Sequence, residues 1–309
     1  MTQVIAVTGG LGFIGSYVVE HLLDAGHYVY LIDCETYAAN PGLLDTERWA
    51  DALHQGTLKY VCADIGELSH LPDLDCVVNL AAETHVDNSI RDSLTFIRTN
   101  VLGVQRLLEL IRAKRAYQMP RFIQISTDEV YGDISEGTTD ESAPLRPSSP
   151  YAASKAAADL LVQAYARTHG VPYNILRPSN CYGRRQYPEK LIPKAVRCVV
   201  FDKPFPLHSG GTPERSWLAV EDCATAIGCV LRDGRPNTIY NVGGNTSASV
   251  SSIVRVIGCR TDTQFERPGV DRRYCVSDAP LRALGWLPRG DLWRDLPGIV
   301  EAERAVFRW

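Results

Sequence analysis

Apolar and polar positions alternate along this chain in two rhythms. Val4–Thr8 is a short apolar run, and from Ile14 to Ala25 apolar residues return at helical spacing until Gly26. Tyr28–Ile32, Lys59–Cys62 and Cys76–Leu80 are further short runs that read as strands. Leu94–Arg115 predicts one long helix, with Val101, Val104, Leu107, Leu108 and Ile111 on its apolar face. Arg121–Ser126 predicts a strand. Tyr151–His169 predicts an Ala-rich helix, preceded by Pro147 and Pro150 and stopped by Gly170, and Val171–Leu176 another strand. This alternation predicts an α/β fold, a doubly wound parallel sheet with helices on both faces. After Arg177 proline and glycine become frequent and the elements shorten. The expected division is a sheet domain over residues 1–176, with a later segment of about 216–242 returning to it, and a smaller C-terminal substrate-binding region over most of 177–309.

Composition narrows the classes. The chain has 309 residues, 45% hydrophobic and 22% charged, enough for one large or two modest domains with a real core. The net charge is −4 and the arginines are scattered, so no surface for nucleic acid is expected. No apolar stretch is long enough to span a bilayer, and Met1-Thr2-Gln3 lacks the basic start of a signal peptide. A cytoplasmic protein with no membrane partner is the expectation. Nine cysteines stand at 34, 62, 76, 181, 198, 223, 229, 259 and 275 with no CxxC among them, so no metal site is expected and the thiols read as buried and reduced.

The first chemical signal is "VTGGLGFIG", residues 7–15, between a strand and a helix. Gly9, Gly12 and Gly15 allow a tight turn and close backbone approach to a pyrophosphate, which the helix N-terminus attracts. Asp33 ends the second strand, where a carboxylate binds the hydroxyls of an adenosine ribose and repels a 2′-phosphate. A Rossmann-like domain that takes NAD rather than NADP follows. In "CADI", residues 62–65, Asp64 reads either as a contact to the adenine or as a helix cap.

The second signal is "YAASK", which places Tyr151 and Lys155 one helical turn apart on one face. A tyrosine with a reference pKa of about 10 is a poor base near neutral pH. A neighbouring ammonium and the positive nicotinamide favour its phenolate. The lysine is also placed to hydrogen-bond the nicotinamide ribose, and Ser126 or Thr127 to hold a substrate hydroxyl. Upstream, "STDEVYG" (126–132) sets two carboxylates, Asp128 and Glu129, side by side at the end of a strand.

Together these motifs resemble an extended short-chain dehydrogenase/reductase and, more narrowly, the dTDP-glucose 4,6-dehydratase family. The resemblance rests on "NLAAETHVDNSI" (79–90), "STDEVYG" (126–132), "SSPYAASKAAADLLVQAY" (148–165), "SNCYG" (179–183), "YPEKLIP" (187–193) and "RPGVDRRY" (267–274), which span most of the chain. It implies oxidation of a sugar at C4, loss of water across C5–C6 and hydride return to C6, with NAD as the cofactor. Thr127 would orient the 4-hydroxyl, Tyr151 take its proton, Glu129 remove the C5 proton and Asp128 protonate the departing 6-hydroxyl. Like-charge repulsion would push the two carboxyl titrations apart, giving one base and one acid. The cofactor would meet Phe13, Ile14, Ile65 and Leu80-Ala81-Ala82 besides the glycines, Asp33, Asp64, Tyr151 and Lys155.

For the substrate the resemblance implies Glu83, His85, Asn180, Lys190, Leu191, Arg215 and Arg267, with His85 reading equally as a satisfied structural residue and the arginines suiting a diphosphate. This chain departs from the family where the base and its ribose would lie. His208 stands for a tyrosine, Val250 for an asparagine, Val270 for a histidine, and Ser216 for the Asp of "RDW". A nucleoside-diphosphate hexose is the favoured substrate. An unusual nucleoside or nucleotide, left with an exocyclic alkene, is the alternative. From other classes, a sugar-nucleotide epimerase needs no Asp128–Glu129 pair, and a non-catalytic NAD-binding protein needs neither that pair nor Tyr151 and Lys155. The resemblance also implies a homodimer, paired through helices about 94–115 and 151–169 as a four-helix bundle.

Overall fold

The computed structural model describes residues 1–264 and 269–307. Its strands are β1 Val4–Thr8, β2 Tyr28–Asp33, β3 Leu58–Cys62, β4 Cys76–Asn79, β5 Arg121–Ile125, β6 Tyr173–Pro178, β7 Asn180–Tyr182, β8 Phe205–His208, β9 Glu214–Ala219, β10 Thr238–Val242, β11 Thr246–Ser249 and β12 Thr261–Gln264. Seven of them form one parallel sheet in the order β10-β6-β5-β4-β1-β2-β3. The order reverses between β1 and β4, so the loops leaving these strands part and open a crevice at their C-terminal ends.

Period-two sequence explains why both sheet faces are covered. In β1, Ile5 and Val7 join one core with Val18, Val19 and Leu22 of α1 (Phe13–Asp24), Trp49 of α2 (Glu47–Gln55) and the apolar face of a later helix, Val220–Asp233. Ala6 between them points to the other core. Under that second face the chain forms α3 Val86–Arg91, α4 Ser93–Ile97, a π-helical stretch Arg98–Gly103, α5 Val104–Arg112 and α6 Pro150–His169. In α6, Ser149 accepts from the Ala152 amide, Pro150 stands at the first turn, and Gly170 closes the helix at φ 72°.

The expected single helix over 94–115 is therefore broken in register. The cause is Asn100, which is buried and turned towards the sheet's C-terminal edge. Its side chain accepts from the Glu83 amide at 2.9 Å and donates to the Glu83 carbonyl at 3.0 Å and to Ser154 Oγ at 2.9 Å. A π-turn gives the extra residue that aims it there.

Beyond β6 lie α7 Leu191–Val200, α8 Val220–Asp233, α9 Val250–Ile257, α10 Ala279–Arg282 and α11 Leu292–Val306. A three-stranded sheet, β11-β9-β7, and the β12-β8 pair carry the smaller region. Its own core joins Ile192 and Val196 of α7, Ile253 of α9 and Leu296 of α11 with Phe205 and Trp217. Helix α8 and strand β10 return to the large sheet. The cysteine expectation is corrected here: all nine are free, but only Cys76, Cys223 and Cys229 are buried, while Cys34 and Cys62 are exposed. Both exposed thiols sit where β2 and β3 end near the open sheet edge. Among the described residues, no helix is long and apolar enough to cross a membrane.

Arg121, at the start of β5, fastens the returning segment. Its guanidinium bonds the Asn174 side chain and donates to the carbonyls of Leu231 (3.2 Å), Val230 (3.0 Å) and Gly234 (3.1 Å), closing the C-terminus of α8. We expect Arg121→Met to leave these acceptors unpaired and to destabilise the fold by about 2–4 kcal/mol. Denaturant unfolding would measure that loss, and cofactor affinity, set at the opposite ends of the strands, should stay within about twofold.

Candidate active site

At the crevice between β1 and β4 a cleft of about 480 Å³ opens. Its floor is set by backbone. Gly9 has φ 68°, and a Cβ there would lie 2.7 Å from the Ala81 amide nitrogen. A Cβ on Gly15 would lie 2.1 Å from the Gly9 carbonyl. Only glycine lets the turn, the head of α1 and the β4 loop approach this closely. No side chain caps α1, whose N-terminus opens on the cleft at Gly12. Beneath, Thr8 donates to Asn79 at 2.5 Å and Asn79 to Gln124 at 2.8 Å, a buried polar ladder across β1, β4 and β5 that fixes the strand ends.

Asp33 accepts from the amides of Leu11 at 3.0 Å and Glu35 at 2.9 Å, and burial raises its pKa. Asp64 Oδ1 accepts from Gly66 at 2.7 Å, a local turn bond, while its residue still lines the cleft. These two carboxylates, the glycine cradle and the uncapped helix start match the sugar, base and pyrophosphate of a dinucleotide, so the chain's own residues fit NAD. Phe13, Ile14, Ile65, Leu80, Ala81 and Ala82 line the same wall.

At the other end of the cleft stand Ser126, Thr127, Asp128, Glu129, Tyr151, Lys155, Asn180, Lys190 and Glu83. Asp128 and Glu129 open a short 3₁₀ turn, Asp128–Tyr131, capped by Thr127, whose hydroxyl accepts from the Glu129 amide at 3.3 Å. Asp128 is 2% exposed and Glu129 half-buried. Burial first, and then the charge of Glu129, push the Asp128 carboxyl up to about 8, with Arg215 pulling the other way. Asp128 therefore holds its proton near neutral pH.

Tyr151 is also held well above the usual tyrosine range, by burial, then Glu129, against the pull of the Thr127 hydroxyl. Lys155 shares its helix face but donates to the Ile125 carbonyl at 2.6 Å. The charges that dominate the phenol within the chain are thus the two carboxylates, and the expected help from the ammonium is not among the main influences on it. Burial lowers Lys155 to about 8, and Asp159 opposes that. Three buried atoms at this end, Ser126 Oγ, Asp128 Oδ2 and Asn180 Oδ1, make no hydrogen bond among the described residues, and all three residues line the cleft. Polar atoms left this way inside a cavity are acceptors and donors for a ligand.

Other expected residues lie elsewhere. His85 does not line the cleft: its Nδ1 caps α3, accepting from the Asn88 amide at 3.3 Å. Leu191 packs against the smaller core at the start of α7. Arg215 stacks on Tyr274 at 4.3 Å and donates to the Asp271 carbonyl at 2.9 Å, near enough to act on Asp128 by charge. His208 ends β8, apart from the cleft lining. Ser216 accepts from the Gly244 amide at 3.3 Å, and Val250 begins α9. Arg267 lies outside the described residues. Sequence reasoning missed Asn100, which holds Glu83 from the π-turn, and Tyr37, whose hydroxyl donates to Glu189 at 3.1 Å while its ring meets Tyr187 edge-to-face. That pair ties the β2 loop to the segment before α7 across the cleft. Neither carries a motif.

The sequence model of the NAD dependent epimerase/dehydratase family matches residues 5–243. The low-salt glycan biosynthesis protein Agl12 of Haloferax volcanii is 40% identical over 96% of this chain and 97% of its own length. A dTDP-glucose 4,6-dehydratase of Streptomyces niveus is 40% identical over 99% and 94%. The solved structure of a dTDP-glucose 4,6-dehydratase from Streptomyces venezuelae with NAD and TYD bound superposes with a TM-score of 0.90 at 35% identity, covering 99% of this chain and 98% of that one. With the family pattern running through the glycine turn, the carboxylate turn and the Tyr–Lys helix, the chain belongs to the NAD dependent epimerase/dehydratase family.

Proposed function

We propose that this protein is an NAD-dependent 4,6-dehydratase of a nucleoside-diphosphate glucose, with dTDP-glucose as the first substrate to test. The observation that carries the reading is the Asp128–Glu129 turn: one carboxyl buried and protonated near neutral pH, its neighbour half-exposed, both beside Tyr151 in one cleft. An epimerase on this scaffold has no work for that pair. Residues 1–176, with the returning α8 and β10, serve as the cofactor half, and most of 177–309 as the substrate half. Catalytic roles fall to Thr127, Asp128, Glu129, Tyr151 and Lys155. Glu83, Asn180 and Lys190 are the substrate-side contacts the arrangement favours.

NAD, held by Gly9, Gly12, Gly15, Asp33 and Lys155, supplies a reversible hydride acceptor. Tyr151 takes the proton of the sugar's 4-hydroxyl, which Thr127 orients. Oxidation at C4 makes the C5 hydrogen acidic. Glu129 removes that proton and Asp128 gives its own to the 6-hydroxyl, which leaves as water. A proton from Glu129 to C5, with hydride at C6, resets the base. Asp128 is then left ionised and Tyr151 protonated, and one proton released by Tyr151 and one taken up by Asp128 through solvent restore both.

In heavy water the purified protein should convert dTDP-glucose to a product lighter by one water with deuterium at C5, read by mass spectrometry. Glu129→Gln should lower turnover by about 10²–10⁴ and abolish C5 exchange, while a single round of C4 oxidation survives. Full activity in that variant would remove the assignment.

Asp128 also sets a pH dependence of stability. Its folded pKa of about 8 lies above the ordinary 3.8, so between those values the folded protein keeps a proton that the unfolded chain has released. Stability from this group falls as pH rises through that window and levels off above about 8. Asp128→Asn cannot ionise. Its melting temperature should match the parent near pH 4 and exceed it increasingly up to pH 8, at the expense of elimination.

The homodimer belongs to the same proposal. Leu94, Ile97 and Leu102 on the α4–α5 face and Leu160 on α6 are large apolar side chains with 40–58% of their surface exposed. Such a set on two adjacent helices fits a four-helix pairing. Leu102→Glu with Leu160→Glu should convert a dimer to a monomer in sedimentation velocity runs, and an unchanged mass would place any interface elsewhere.

A further inference from the structure

Behind the catalytic pair, α6 carries a third polar residue on the same face. Tyr151, Lys155 and Asp159 succeed one another at four-residue spacing, and Asp159 is fully buried. Arg177 on β6, 1% exposed, donates to Asp159 Oδ2 through Nε at 3.0 Å. Its Nη1 donates to the Tyr131 hydroxyl at 2.7 Å, and Tyr131 donates to Asn241 at 2.8 Å. The guanidinium also stacks on the Tyr131 ring at 4.9 Å. The other carboxylate oxygen, Oδ1, closes no hydrogen bond of good geometry, though the Ser126 hydroxyl lies near enough to hold the carboxyl's pKa down.

A buried ion pair is weak stabilisation, since well-packed apolar residues often do as well. This one lies one helical turn below an ammonium that is itself 4% exposed and bonded to a single carbonyl. The neighbouring charges from each packed element are few. Tyr151 and Asp159 share the helix, Asp128 and Glu129 belong to the turn after β5, Tyr173 and Arg177 to β6, and Tyr131 and Glu141 flank the guanidinium. Of these, Asp159 is the charge that acts on Lys155.

We propose that Asp159 is a positioning residue for the reaction: it keeps the Lys155 ammonium charged and directed at the cleft, and Arg177 keeps Asp159 ionised and aimed. This rests on the dehydratase reading only for its consequence on rate. The electrostatic coupling stands without it. Removing Asp159 leaves Lys155 facing an unbalanced Arg177 inside the protein, so the lysine gives up its proton at lower pH. Neutral Lys155 no longer presents an ammonium to the cleft where NAD would lie.

The test is competitive acetylation of Lys155 against pH, read by peptide mass spectrometry on the purified protein, with a kcat and kcat/KM profile beside it. In Asp159→Asn, whose amide oxygen still accepts from Arg177, the labelling midpoint should fall by about one unit or more. The alkaline limb of kcat should move with it, while the KM for the sugar nucleotide changes less. Arg177→Met should lower the midpoint too, because the unpaired carboxyl takes up a proton. Arg177→Lys keeps the charge and should leave the midpoint in place. An unmoved midpoint in Asp159→Asn or Arg177→Met, or an equal fall in Arg177→Lys, overturns the proposal. If Asp159→Asn does not fold, the two Arg177 variants decide it. Shifted labelling with no dehydratase activity in the parent would refute the function and leave the coupling.

Discussion

The site depends on a contact between two stretches of backbone. Gly9 and Ala81 leave neighbouring strands at the point where the sheet order reverses, and their loops approach so closely that a single Cβ would not fit. That approach fixes the head of α1 against the β4 loop, and with it the width of the crevice. The Thr8–Asn79–Gln124 ladder holds the same strand ends from below. Asn100 extends this outward by gripping Glu83 on both its amide and its carbonyl. The groups proposed for catalysis are attached to elements whose ends are already immobilised, which is what proton transfers between fixed partners require.

Several of those groups sit where an isolated charge is disfavoured. Asp128, Lys155 and Asp159 are nearly inaccessible to water, and burial is the first influence on each of them. The fold resolves each case differently. Asp128 stays protonated. Lys155 stays near its titration point, close to a carboxylate. Asp159 is paired with Arg177. A chain selected only for stability would replace all of them with apolar residues. Asp128 and Lys155 both line the cleft, and shifted proton affinities gathered in one cleft are the physical mark of a functional site.

The doubly wound sheet was legible because its signals are local and repeated. Short apolar runs alternate with helical spacing, and Gly26, Gly170 and the Ser149–Pro150 start punctuate them. The glycine turn, Asp33 and the Tyr–Lys turn were legible from spacing, and the carboxylate pair from the family resemblance. What escaped depended on distant partners. Leu94–Arg115 has an unbroken helical period, and nothing in it announces that Asn100 must reach Glu83 through a π-turn. Asp159 and Arg177 each read as ordinary charges until the fold brings them to 3.0 Å. His85, readable from its place after β4 either as a sugar contact or as a structural residue, caps α3. The cysteines were read as buried from chemistry alone, whereas exposure follows which strand ends they occupy.

The adjacency of Asp128 and Glu129 suits the geometry of the proposed reaction. Elimination across C5–C6 takes a proton from one carbon and protonates the oxygen on the next, so base and acid must serve neighbouring atoms. Two consecutive residues at the head of a 3₁₀ turn point about 120° apart, so that the first is buried and the second half-exposed while both line the cleft. The backbone thereby creates the difference in burial that separates their proton affinities, and the charge of Glu129 widens it. Thr127 stands at the head of the same turn, accepting from the Glu129 amide and holding down the phenol of Tyr151. On the proposed reading, a single capped turn would supply the base, the acid and the hydroxyl that couples them to the oxidation site. Epimerisation at C4 alone would use only the last of these, and no feature of the sheet or of the cofactor cleft requires the other two.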